Sequence, residues 1–174
     1  MTAPYFYEQT LKSKQVASVQ VFGLPVASAT QDYPIGSKLF DETTGAEYKY
    51  VKFSGAIAAN EVMSALGNTG YTVGQCAATA AGVGAREGVS LYTANTDEYG
   101  FIAVAGPCFV KYSGTGYVLG DRVAPDVAAA GKVIEAAVAT PTAAEVIRGI
   151  AVFGFALEAE DATTAGLLKI NITK

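Results

Sequence analysis

The side chains that could do chemistry in this chain are carboxylates and thiols, and they are few. The acidic groupings are Asp41-Glu42, Asp97-Glu98, and Glu158 with Glu160 and Asp161. Two carboxylates flanking a glycosidic bond would make a hydrolase. Three gathered carboxylates would suit calcium, but no twelve-residue calcium loop accompanies them. Each grouping falls in a turn cluster, where short acidic side chains bond their own backbone, so solvated turn residues are the better reading. The chain has no histidine. That removes the commonest general base, nucleophile activator and metal ligand. Cys76 and Cys108 stand alone without zinc spacing, and in a reducing compartment they read as buried free thiols. Gly82-Val83-Gly84-Ala85-Arg86-Glu87-Gly88 has the look of a nucleotide loop, but no helix pattern follows it, so it reads as a surface loop. The expectation is a protein that is not an enzyme, with no cofactor and no metal.

The bulk properties limit the partners. A chain of 174 residues reads as one domain large enough to fold on its own core. Lysine and arginine total 12 against 16 acidic residues, for a net charge of −4, and the bases form no run. Nucleic acid is therefore not an expected partner. Charged residues make up 16%, below the usual ~25%, which suggests surface that partners cover. The charge-free stretch from Val62 to Ala85 is broken by glycines, Asn68, Gln75 and threonines, so it does not read as a membrane span. No basic segment followed by an apolar run opens the chain, so synthesis in a cytoplasm is expected.

The elements that must position all this read as short strands. Lys38-Leu39-Phe40 and Glu47 to Phe53 form a hairpin across the turn residues Asp41 to Gly45. In the second arm Tyr48 and Tyr50 share one side, and Glu47, Lys49, Val51 and Phe53 the other. Ser18 to Phe22, Val89 to Tyr92, Tyr99 to Val104, Cys108 to Tyr112 and the β-branched run within Glu145 to Leu157 are further strands. Pro107 is expected to keep the Gly106-Pro107 step out of a central ladder. Leu167 to Ile172 alternates as a closing antiparallel strand. The one helix candidate is 56–66, with Asn60 as its cap. The fold class expected is all-β with a minor short helix: an antiparallel barrel or sandwich over 18–174, preceded by an N-terminal extended arm over 1–17. In that arm Tyr5, Phe6 and Tyr7 are adjacent, so one surface cannot easily bury all three. They belong either to an ordinary strand or to an arm that docks on a neighbour.

A short pattern recurs. Tyr33-Pro34-Ile35-Gly36, Tyr71-Thr72-Val73-Gly74 and Tyr117-Val118-Leu119-Gly120 share tyrosine, any residue, aliphatic, glycine. The first and third copies continue alike, as Lys38-Leu39 and Arg122-Val123, at a constant offset of 84. The expectation is a corner between strands, with tyrosine and aliphatic on one face, glycine turning the chain, then a base outward and an aliphatic inward.

The stretch from Glu87-Gly88-Val89-Ser90 through Tyr99-Gly100-Phe101 to Gly106-Pro107, then Gly120-Asp121-Arg122-Val123, Gly149-Ile150-Ala151 and Leu167 to Ile172, resembles the small capsid decoration (cement, head-stabilising) proteins of tailed bacteriophages. Ile35 to Leu39 and Tyr48 to Val51 are similar too. The resemblance, which covers roughly residues 33–172, implies a β-rich homotrimer on the virion, bound to the outer surface of the major capsid protein lattice; the N-terminal portion is a departure from it, and Tyr5, Phe6 and Tyr7 there are the candidate contacts to capsid or subunit. The alternatives are another virion component (a head fibre base or tail protein) and a small carbohydrate-binding β-domain.

Overall fold

The computed structural model describes residues 24–67, 70–78, 86–114, 116–136, 152–159 and 166–173. Among these the chain is all β, as expected. The strands are β1 (Lys38–Asp41), β2 (Ala46–Phe53), β3 (Val62–Leu66), β4 (Thr72–Gln75), β5 (Arg86–Ser90), β6 (Tyr99–Lys111), β7 (Arg122–Pro125), β8 (Val133–Glu135), β9 (Gly154–Ala156) and β10 (Leu167–Ile172).

Five strands close a ring. β2 pairs with β4, β4 with β3, β3 with β5, β5 with β6, and β6 returns to β2. The β2–β4 step is parallel, with Phe53 opposite Val73, so the barrel is not wholly antiparallel. Val51, Phe53, Met63, Val73, Ile102 and Val104 fill one cluster with Ile57 and Ala94 from the connecting loops. That cluster is the inside of the ring. From β6 the sheet continues through β10, β9 and β7 to β8. Leu168, Ile170, Val123 and Val133 of this second part pack with Val62, Val89 and Ala103 of the ring. A third cluster joins Tyr33, Leu39, Tyr50 and Phe101 on another flank.

This layout explains the residue types of β6. Phe101, Ile102, Ala103 and Val104 are all buried because both faces of the strand are covered. Ile102 and Val104 point into the ring, Phe101 lies under Tyr33, and Ala103 meets the second sheet. The same logic holds in β2, where Val51 is inside and Tyr50 outside.

Two expectations are corrected. The candidate helix over 56–66 is not one. Asn60 has φ +63°, in the left-handed region, and the β-branched and long apolar residues after it form β3 between β4 and β5. Pro107 does not interrupt the ladder either, because β6 runs through it with Asn171 opposite. The β2 pairing ends at Ala105, and beyond that point β10 is the strand's one ladder partner among the described residues. A proline is tolerated there as at a sheet edge. Gly106 makes the change of partner possible. Its φ is +84°, and a Cβ on it would lie 2.6 Å from the Gly45 carbonyl oxygen. The hairpin β1–β2 and the closing strand β10 stand where the sequence put them, with Leu168, Ile170 and Ile172 inward.

Candidate assembly surface

The recurring pattern is built twice as the same corner. Residues 34–37 and 118–121 are β-turns closed by Ser37 N–H to the Pro34 carbonyl (3.1 Å) and Asp121 N–H to the Val118 carbonyl (3.1 Å). Gly36 and Gly120 hold the third position at φ +87° and +92°, as a type II turn requires. Each turn then grips a neighbouring strand in the same way. Gly36 donates to the Tyr50 carbonyl and Tyr50 donates to that of Ser37; Gly120 donates to the Ala156 carbonyl and Ala156 to that of Asp121. The fourth residue ties back to the first by the means available. The Ser37 hydroxyl donates to the Pro34 carbonyl, whereas the Asp121 carboxylate accepts from the Val118 amide, which Pro34 lacks.

Tyr33 and Tyr117 are both buried, each meeting a second tyrosine edge-on: Tyr50 at 5.3 Å and Tyr112 at 5.2 Å. After the turns, Lys38 and Arg122 face out while Leu39 and Val123 face in. One part of the expectation fails. Tyrosine and aliphatic do not share a face: Tyr117 is 3% exposed and Leu119 70%. The turn begins between them and reverses the alternation. The copy at Tyr71 is not a corner, since Gly74 lies within β4. Its tyrosine instead covers the first corner, with a Cβ on Gly36 falling 2.7 Å from Tyr71 Cε1.

The acidic groupings serve turns. Asp41 accepts from Thr43 N–H (2.9 Å) and the Thr44 hydroxyl (2.7 Å). Burial pushes its carboxyl up, but these hydrogen bonds outweigh that and hold it below its ordinary value. Glu98 is held low by the Asn95 side chain and amide, which donate at 3.0 and 2.7 Å. Asp97 pairs with Lys52 at 2.7 Å. Glu158 accepts from the Lys169 amide at 3.1 Å; Glu160 and Asp161 lie outside the described residues. Cys76 and Cys108 are both buried and free, and burial pushes the Cys108 thiol up to about 12. Among the described residues no group of three or more cysteines and carboxylates could hold a metal ion. Inside the fold, Lys49 of β2 meets Glu87 of β5 and the Gly70 carbonyl, joining parts of the ring not adjacent in the ladder. Lys111 pairs with the buried Glu61 at 2.9 Å.

Among the described residues, the surface offers exposed apolar side chains on strands and in the turns beside them. Cys108, Val110, Ile170, Leu168 and Ala156 occupy the inner face of the second sheet, so their neighbours point outward. Phe109 of β6 stands opposite Lys169 of β10, whose carbonyl accepts from Leu157 N–H. Asn171 lies between Pro107 and Phe155, and Phe155 stands opposite Arg122 of β7. Phe109, Phe155 and Leu157 are exposed, and Val118 and Leu119 continue the patch from the second corner. Lys169 Nζ lies 5.9 Å from the Phe109 ring centre. Phe40 of β1 is exposed elsewhere, as are Leu66 and Tyr71 at the ends of β3 and β4. Tyr5, Phe6 and Tyr7, the contact residues expected from the sequence, lie outside the described residues. The patch itself was not read from the sequence. Phe109 and Phe155 flank the buried positions by strict alternation, which is the signal that could have found them.

No family model matches the chain. No curated protein matches it. Among solved structures, the head fiber gp8.5 N base of bacteriophage phi29 is similar at 12% identity and a TM-score of 0.46, covering 72% of this chain and 92% of that one.

Proposed function

We propose that the protein is a structural component of a phage virion. It binds the outer surface of the capsid as a homo-oligomer, a trimer, and cements the major capsid protein lattice. It is made in the host cytoplasm and works without cofactor, metal, nucleic acid or membrane. The observation that carries this reading is the distribution of exposed apolar side chains. Among the described residues they stand at the Phe109–Phe155–Leu157 face with Val118 and Leu119, at Phe40, at the Leu66–Tyr71 end and at Val26. A subunit held by several neighbours needs this, because small contacts repeated by symmetry reach an avidity that none has alone. The resemblance of residues 33–172 to phage decoration proteins supplies the kind of neighbour.

Electron microscopy of particles with and without the protein tests it. The expected result is regular extra density on the outer capsid lattice and earlier rupture of particles that lack it. Density only at a vertex, on a fibre or in the tail would replace cementing with another virion role. Deleting residues 2–15 tests Tyr5, Phe6 and Tyr7: occupancy on particles falls if they are contacts, and unchanged occupancy removes them.

A further inference from the structure

We draw no further inference here: the strongest candidate, the exposed apolar patch of Phe109, Phe155 and Leu157 on the outward side of the second sheet, is bordered by Lys169 and Arg122 but also by Glu158 and Asp121, so its charge selects no partner, and nothing in the structure shows what covers it.

Discussion

Gly36 and Gly120 hold the same turn position in different surroundings, and that difference fixes two separate costs. Each has φ near +90°, where an L side chain is strained by roughly 1–2 kcal/mol. Replacing glycine by alanine also narrows the unfolded ensemble, which offsets about 0.4–1 kcal/mol of that. Around Gly120 nothing lies within 4 Å of an added Cβ, so Gly120→Ala is expected to cost only the net strain, about 1 kcal/mol. At Gly36 the same Cβ would sit 2.7 Å from Tyr71 Cε1, inside any tolerated contact. The Tyr71 ring must move, and it then gives up its packing on the corner and its place 5.1 Å from Lys49 Nζ. A cation–π contact at such a site is worth about 0.5–1 kcal/mol, so Gly36→Ala is expected to cost about 2 kcal/mol in all. For a chain of this size that lowers Tm by roughly 4–8 °C, against half as much for Gly120→Ala. Urea unfolding followed by circular dichroism reads both, with the slope unchanged. In a Tyr71→Ala background the cost of Gly36→Ala should fall to that of Gly120→Ala. Equal costs for the two glycines, or a gap that survives loss of Tyr71, would refute the account of the corners.

Ile102→Ala should destabilise the protein by about 2–5 kcal/mol, because Ile102 fills the inside of the ring; a loss under about 1 kcal/mol would mean the ring interior is not packed as described. Asp41 and Glu98 lie below their ordinary values of 3.8 and 4.5 when folded. Their contribution is therefore present above those values and lost as pH falls through the lowered ones, and Glu98→Gln should flatten the acid limb of a stability–pH curve. Both groups are largely solvated, so the change is small. Cys108 runs the opposite way. Its folded value of about 12 stands above the ordinary 9.0, so its contribution is complete below 9 and disappears as pH rises toward 12. At pH ~8 the native thiol should resist alkylation that is complete in urea, and fast native labelling of Cys108 would contradict its burial.

Local signals carried the parts of the fold that local chemistry controls. The hairpin β1–β2 follows from alternation around Asp41 to Gly45, and β10 from the alternation of Leu167 to Ile172. The two corners were visible because a positive φ leaves few residue choices at Gly36 and Gly120. What failed depended on distant partners. Residues 56–66 have helix formers, yet β4 and β5 flank β3 and take Val62–Leu66 into the sheet. Pro107 looked like a break because the sequence does not show that β2 leaves the strand at Ala105. The apolar face escaped notice for a related reason. Alternation separates the faces of β6 and β9, but nothing in it says which face another sheet will cover. The ring closure between β2 and β4 is parallel and non-local, so no short pattern announces it.

In the function proposed above, the chain is held by the repeated subunits of a capsid. Mixing the purified protein with particles grown without it, and titrating the pelleted fraction, measures that binding directly. Saturation at a fixed ratio to the major capsid protein, lost when the particles are first coated with the native protein, is the predicted result. Protein that stays in the supernatant at every concentration, beside particles with all their surface sites bare, would contradict it.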